Sequence, residues 1–343
     1  MKKLQNSLYI LTQGSYLCKE GETIAVYVAK ELKQRFPVHN QANILCFGNV
    51  LCSPALLGMC GENCIGVSFF TENGRFLARV NGSVSGNVLV RRKQYRTADD
   101  EEQRADIARR FVVAKIANCR TVLSRALREY PGSPGVSRLQ EAVVYLGETM
   151  VHLQHSYPLE TIRGIEGDAA KTYFSVFDDL IMCQKDNFYF HGRNRRPPLD
   201  NVNAMLSFIY TVMTHDIASA LEGVGLDPAV GFLHSDRPGR PSLALDIIEE
   251  FRPVIADRLI LSLINRKQIK AKNFTCTETG GVMMDDAARR AILTSYQERK
   301  RDELMHPFLN EKIALGLVFH AQAMLFSAFL RGDIDGYPPF RWK

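Results

Sequence analysis

The stretch GFLHSDRPGRPSLALDIIEEF, Gly231 to Phe251, places one histidine, His234, in a loop rich in Arg and Pro. An apolar helix follows that carries Asp246, Glu249 and Glu250. Asp246 and Glu249 are three residues apart, so on a helix both side chains leave one face. That is a common way for a helix to offer two carboxylates to one cation. His234 can complete such a site from the loop, with Arg237 and Arg240 beside it. Taken singly, a loop histidine is more often a surface residue. DIIEEFRP also reads as the polar face of an amphipathic helix.

Two further stretches add chemistry. In YPLETIRGIEGDAAKTYFSVFDDLI, residues 157–181, Glu166 has Gly164, Gly167, Ala169 and Ala170 around it. Each glycine costs a helix about 1 kcal/mol against alanine. Two of them beside one carboxylate imply close approach, by a helix or by a ligand. Arg163 and Tyr173 share the Glu166 face. The plainer alternative is a tightly packed helix with a solvated glutamate. In HGRNRRPPLDNVNAMLSFIYT, residues 191–211, Arg193, Arg195 and Arg196 precede Pro197-Pro198 and a helix start. Guanidinium groups on a stiff loop at a helix N-terminus make a phosphate-binding patch. The alternative is a solvated charge cluster. Carboxylates with one imidazole suit Mg²⁺ or Mn²⁺, and the imidazole favours Mn²⁺. A hard cation among arginines points to a phosphodiester ligand.

These groups need a scaffold. The 343 residues allow about two domains, and 46% hydrophobic content excludes a disordered chain. A net charge of +6 permits a nucleic-acid partner without requiring one. None of the eight cysteines forms a CxxC pair, so no zinc site is expected. Reduced thiols, no secretory apolar core in MKKLQNSLYILTQGSYLCKEG and no membrane-length apolar run predict a cytoplasmic protein. The runs NSLYILT, ETIAVYV, ANILCFG, CIGVSFF and GRFLARV predict strands, with one helix in SPALLGMC capped by Ser53. Beyond Thr97 the spacing predicts helices over about 98–129, 136–153, 158–183, 199–223, 241–265, 286–304 and 309–330. A hairpin is expected around Thr279-Gly280-Gly281. The fold class is therefore α+β. A small N-terminal β-sandwich-like domain, residues 1–95, precedes a larger all-α catalytic domain, residues 96–343.

EGDAAKTYF, RNRRPPLDNVNAMLSFIYT and GFLHSDRPGRPSLALDIIEEFRP, in this order and spacing, resemble the CRISPR-associated integrase family, the first CRISPR-associated protein, which inserts new spacers. The resemblance covers the whole chain. The length and the YILTQGSYL start resemble the branch serving subtype I-C systems. The resemblance implies a divalent-metal site, Mg²⁺ or Mn²⁺, of Glu166, His234 and Glu249, where many relatives carry Asp at the last position. It implies that Asp246 is a further ligand or a partner that orients one. Arg163, Arg193, Arg195, Arg196, Arg237, Arg240 and Arg252 would contact DNA, and Tyr173 would stack on a base or touch the scissile phosphate. The implied reaction is attack of a DNA 3′-hydroxyl on a phosphodiester, with no covalent enzyme intermediate.

The implied partners are double-stranded DNA and a second copy bound through the β domain. Two such dimers would be bridged into a heterohexamer by the small ferredoxin-like second CRISPR-associated protein, and a trimming nuclease often accompanies this branch. The tail DGYPPFRWK would dock on a partner or pack on its own domain. Two rivals stand beside this reading: a structure-specific DNA repair nuclease, and a non-catalytic DNA-binding scaffold. Alanine at Glu166, His234 or Glu249 is expected to abolish strand joining and leave the fold intact. Charge reversal across 193–196 is expected to weaken DNA binding and flatten its salt dependence, read as the slope of log K against log salt.

Overall fold

Side chains of a strand alternate between its two faces, and the N-terminal part uses both faces of one sheet. The computed structural model describes residues 6–72, 74–80, 82 and 88–342. Lys2 and Lys3 of the basic N-terminal stretch lie outside them. The first sheet has the order β1 (Asn6–Ile10), β5 (Gln41–Phe47), β7 (Gly66–Phe70), β8 (Phe76–Val80), parallel except for the last pair. The second has the order β4 (Glu31–Pro37), β3 (Thr23–Val28), β2 (Ser15–Glu20), β6 (Val50–Cys52). Ile44 and Cys46 of β5 join Leu17, Ile24 and Val26 of the second sheet in one buried cluster. Their neighbours Leu45 and Phe47 belong to the core of the helical part, where the Phe47 and Phe208 ring centroids lie 5.8 Å apart. One sheet therefore serves two cores.

Helix α1 (Pro54–Glu62) starts at Ser53, whose Oγ accepts from the Leu56 N–H at 3.2 Å. Strands β2, β4 and β6 were not among the expected runs. β4 is nearly all exposed and polar, a charged edge held by its pairing to β3.

The helical part departs from the expected boundaries at identifiable points. Helices α2 (Val88–Asp99) and α3 (Glu101–Glu129) meet at Asp100, whose carboxylate accepts from the Gln103 N–H at 2.9 Å. Residue 95 lies inside α2. After α4 (Val136–His152), helix α5 stops at Ser175 (Leu159–Ser175) and gives way to a 3-10 turn, Phe177–Leu180. The run expected as one helix over 241–265 is α7 (Ser242–Glu249), a π-helical segment Arg252–Asp257, and α8 (Arg258–Asn265). Pro253 has no N–H to donate, so regular α pairing fails there.

The domain is not all-α. Besides α6 (Asn201–Glu222), α9 (Asp286–Lys300) and α10 (Leu315–Arg331), it holds two short hairpins. β9 (Phe274–Cys276) and β10 (Val282–Met284) flank the expected Gly-Gly turn. β11 (Glu303–Met305) and β12 (Lys312–Ala314) occupy ground read as helix ends. Among the described residues one helix, α6, is long and apolar enough to cross a membrane by length and composition, and 72% of its apolar window is buried inside the fold.

Buried charge ties the two parts together. Asp216 of α6, 6% exposed, accepts from Ser7 Oγ of β1 at 3.2 Å and from Tyr296 OH of α9 at 3.0 Å. Lys300 Nζ donates to it at 2.9 Å. Asp216→Ala leaves the buried Lys300 unpaired and is expected to cost roughly 3–5 kcal/mol. Urea denaturation measures this; an unchanged midpoint would remove the network from the account of how the parts dock.

Candidate active site

Four elements converge on one cleft of about 540 Å³. Helix α3 supplies Lys115, α5 supplies Glu166, the end of α7 supplies Glu249, and the π segment supplies Arg252. His234 enters from the loop before α7. Glu249 is 2% exposed. Its Oε1 meets Arg252 Nη1 at 2.6 Å, and its Oε2 lies 2.7 Å from Lys115 Nζ. Burial pushes the Glu249 carboxyl up, but Arg252, Lys115 and His234 outweigh it and hold the group down at about 2. Lys115 also pairs with Glu166. Burial works against its charge, yet Glu249 and Glu166 lift the ammonium above its usual range.

The imidazole of His234 is fixed by Asp246. The Asp246 carboxylate is fully buried. Its Oδ2 accepts the N–H groups of Phe232 (2.6 Å) and Leu233 (3.0 Å). Its Oδ1 accepts the His234 N–H at 2.9 Å and faces His234 Nδ1 at 2.7 Å. In the neutral ring Nδ1 then carries the proton and Nε2 keeps its lone pair. Four contacts saturate Asp246, which corrects the expectation that it might be a metal ligand: it folds the loop and orients the histidine.

Several expected DNA contacts have other work. Tyr173 is 1% exposed; its hydroxyl donates to Asp257 Oδ2 at 2.9 Å, and its ring packs against Phe174 and Phe177. It has no free face on which a base can stack. Arg163 Nε donates to the Leu233 carbonyl at 2.8 Å and Nη2 to Ser235 Oγ at 3.0 Å, pinning the histidine loop. Arg193 donates to Asn203 Oδ1 at 2.6 Å and Ser207 Oγ at 3.0 Å. Arg193 and Arg252 both lie over the Tyr210 ring, at 5.4 and 4.8 Å. These groups build the pocket, and the salt-dependence expectation for 193–196 narrows to Arg195 and Arg196, which are exposed. Arg195 also lines the cleft, and Arg237 is exposed on the histidine loop. Burial, then the nearby Arg237, lowers the half-buried Arg240 guanidinium, with Arg163 and Arg195 adding to the effect. The glycines beside Glu166 admit no helix: nothing lies within 4 Å of a Cβ built at Gly164 or Gly167. Both glycines are exposed, so the space beside them is solvent.

Two participants, Lys115 and Asp257, escaped sequence reading, and Glu250 was noted there without a role. Lys115 lies 51 positions before Glu166, and no local pattern links them. Asp257 is buried between two tyrosines, with Tyr210 OH 2.5 Å from its Oδ1; burial raises it to about 6 against those hydrogen bonds. Glu250, one residue past Glu249, points away from the cleft into a network with the C-terminal tail. Tyr337 OH donates to it at 2.6 Å, the Phe340 N–H at 2.6 Å and Gln322 Nε2 at 3.1 Å. Asn118, one turn beyond Lys115, donates to the carbonyls of Glu250 (2.6 Å) and Phe340 (2.9 Å) and accepts from the Trp342 N–H (2.8 Å). The tail packs on its own domain and braces the back of the acidic helix.

A β sandwich docked on a helical domain, with carboxylates, an imidazole and guanidinium groups around one cleft, defines a class of two-domain α+β protein equipped for phosphodiester chemistry. Comparison with known proteins narrows the class. The family model for CRISPR associated protein Cas1 matches residues 8–298. The CRISPR-associated endonuclease Cas1 1 of Chlorobaculum tepidum is 56% identical over 343 residues, covering 100% of both chains. The CRISPR-associated endonuclease Cas1 2 of Rhodospirillum rubrum is 47% identical, also over 100% of both. A Geobacter sulfurreducens CRISPR-associated exonuclease Cas4/endonuclease Cas1 fusion is 35% identical over 97% of this chain and 60% of its own length. Among solved structures, a Cas1 protein from Thermotoga maritima superposes with TM-score 0.79 at 25% identity, over 96% of this chain and 97% of that one. A casposase bound to integration product gives 0.84 at 22% identity, over 98% and 95%. A Cas6-RT-Cas1–Cas2 complex gives 0.82 at 21% identity, over 100% of this chain and 36% of that one. The last two show the shared fold. The chain belongs to the CRISPR-associated protein Cas1 family, and it is an endonuclease of that family.

The tail network carries its own pH signature. Burial raises the Glu250 carboxyl to about 8 from an ordinary 4.5, against the hydrogen bonds that pull it down. The folded chain keeps this proton where the unfolded chain has lost it. The resulting stabilisation is complete below pH of about 4.5 and is lost as pH rises through about 8. Glu250→Gln keeps the shape and removes the titration, so its thermal midpoint relative to the parent should rise between about pH 5 and about pH 9. A constant difference across that range would mean that Glu250 is ionised in the fold.

Proposed function

We propose that this chain inserts new spacers into a CRISPR array, through a divalent-cation site held by Glu166, His234 and Glu249. The observation that carries the reading is the convergence of two carboxylates from different helices on one cationic position. Among the described residues no three His, Cys, Asp or Glu side chains are gathered closely enough to cage an ion as they stand. The two glutamates close on the Lys115 ammonium instead. The donor set nonetheless fits: Glu249 Oε2 is buried without a properly directed hydrogen bond, and His234 has its Nδ1 committed to Asp246. Oxygen donors with one imidazole suit Mg²⁺ or Mn²⁺. Such an ion, when bound, polarises a phosphoryl oxygen and stabilises the attacking and leaving oxygens.

The chain's own groups do the rest. Arg252 holds one oxygen of Glu249 so that the other faces the cleft. Asp246 sets the histidine tautomer. Arg195, Arg196, Arg237 and Arg240 hold the DNA backbone without reading its sequence. The incoming 3′-oxygen bonds to phosphorus, the bond from phosphorus to the resident 3′-oxygen breaks, and that oxygen leaves with the proton. No protein nucleophile is required.

The β domain, taken as residues 1–95, serves dimerisation, and residues 96–343 serve catalysis. The Cas2 in the solved assembly and the Cas4 in the fused relative support two partners: a small bridging protein that makes a heterohexamer and a trimming nuclease. We place the chain in the cytoplasm and in the branch resembling subtype I-C.

The test is strand joining between duplex DNA with 3′-hydroxyl ends and a repeat-containing plasmid, in Mn²⁺, Mg²⁺ or chelator. Joined product should require the metal and vanish in Glu166→Ala and His234→Ala. Glu249→Gln should abolish joining too; Glu249→Ala does not leave the fold intact, because it strands two buried cations and is expected to cost roughly 3–5 kcal/mol of stability. Asp246→Ala should lose roughly 10- to 100-fold in rate. Cleavage without joining would favour a repair nuclease, and joining by Glu166→Ala at the parent rate would sink the site.

A further inference from the structure

Lys115 stands where the proposed ion would stand. Its side chain is 10% exposed, and its ammonium reaches Glu166 and, at 2.7 Å, Glu249 Oε2. Glu166 receives a directed hydrogen bond. Glu249 Oε2 has the ammonium at 2.7 Å as its close partner, and because a carboxylate oxygen accepts more than one bond it keeps acceptor capacity. The lysine neutralises the acidic pair without filling every acceptor position of the two carboxylates.

Such a cation has a physical reason to be there. Two carboxylates brought together, with Glu249 buried, repel each other. An ammonium between them removes that repulsion, and its compact charge sits on a flexible four-carbon stem. The root is fixed: Ala114 and Ile116 are buried in the core, and Asn118 ties the next turn to Glu250 and the tail. The stem has somewhere to go. Lys115 borders the cleft of about 540 Å³, which Arg195 and His234 also line. A divalent ion and an ammonium cannot share the same two oxygens without strong repulsion.

We propose that Lys115 is a built-in counter-cation that competes with the metal for Glu166 and Glu249 and withdraws toward the phosphodiester when DNA enters, so that metal loading is coupled to DNA binding. This rests on the metal reading above. In the DNA-free protein the lysine occupies both glutamates and keeps metal affinity low. An incoming phosphate offers the ammonium another anion, and the carboxylates become available. Linkage makes the effect reciprocal: whatever factor DNA adds to metal affinity, metal adds to DNA affinity.

The experiment measures Mn²⁺ binding by calorimetry and by the electron paramagnetic resonance of free Mn²⁺. It uses the full chain and Lys115→Met, each with and without a duplex whose 3′ ends are dideoxy and cannot join. The parent should bind Mn²⁺ at least about fivefold more tightly with the duplex. Lys115→Met should bind Mn²⁺ more tightly than the parent without DNA and gain little from adding it. Its thermal midpoint in chelator should fall, and Mn²⁺ should restore it. Where Lys115→Met does not fold, Lys115→Gln carries the same expectation. A folded variant that binds Mn²⁺ no better than the parent overturns the proposal, as does a parent whose Mn²⁺ affinity ignores the duplex. If neither protein binds Mn²⁺ with or without DNA, the metal reading falls and takes this inference with it.

Discussion

A carboxylate that is 2% exposed stays ionised only if cations stand beside it, and Glu249 has two. Water cannot pay its solvation, so Lys115 and Arg252 must be placed to within a hydrogen-bond length on either side. That requirement fixes much of the helical domain. α3 must pass behind α7 to deliver Lys115, α5 must lie alongside to share that lysine through Glu166, and the chain must turn out of α7 through the π segment to bring Arg252 back. A cluster so dependent on geometry stays charged only while these elements stay packed.

The bracing is visible on the far side of the same helices. Successive residues of a helix point about 100° apart, so Glu249 can face the cleft while Glu250 faces inward. Asn118 performs the same division on α3, one turn past Lys115. The tail residues Tyr337, Phe340 and Trp342 reach both Glu250 and Asn118. The last residues of the chain thus lock the relative position of the two helices that carry the buried ion pair. The apolar faces of Phe340 and Phe251, with ring centroids 5.1 Å apart, add packing to that lock.

The arginines show how one residue type divides by burial. Arg163, Arg193 and Arg252 spend their donors on carbonyls, side-chain oxygens and a carboxylate within the fold. A guanidinium satisfied in this way is a strut, because its fork is planar and its donors are fixed in direction. Arg195, Arg196 and Arg237 remain at the surface, where a phosphate backbone can reach them. The resemblance assigned the whole set to DNA contact, and burial divides it. Tyr173 makes the same point: a shared helix face put it near Glu166, but the face continues into the core.

The sequence by itself determined the two-part α+β plan, because alternation with period 2 and apolar recurrence near 3.6 are properties of neighbours along the chain. It offered Glu166, His234 and Glu249 as candidates, each with a plainer alternative, and the family resemblance joined them into one site. It also determined the Ser53 cap and the Gly-Gly hairpin, which are local turn chemistry. Only tertiary structure decided what surrounds those candidates. Lys115 is 51 residues from Glu166 and 134 from Glu249, and nothing in its own helix marks it apart from other lysines. Asp246 could be a ligand or an orienting group until three backbone N–H groups were seen to fill it. The tail, Asp257 and the π segment belong to the same category. Their roles come from groups distant in sequence meeting in a dry space, where the cost of an unpaired charge or donor selects partners that no spacing rule encodes.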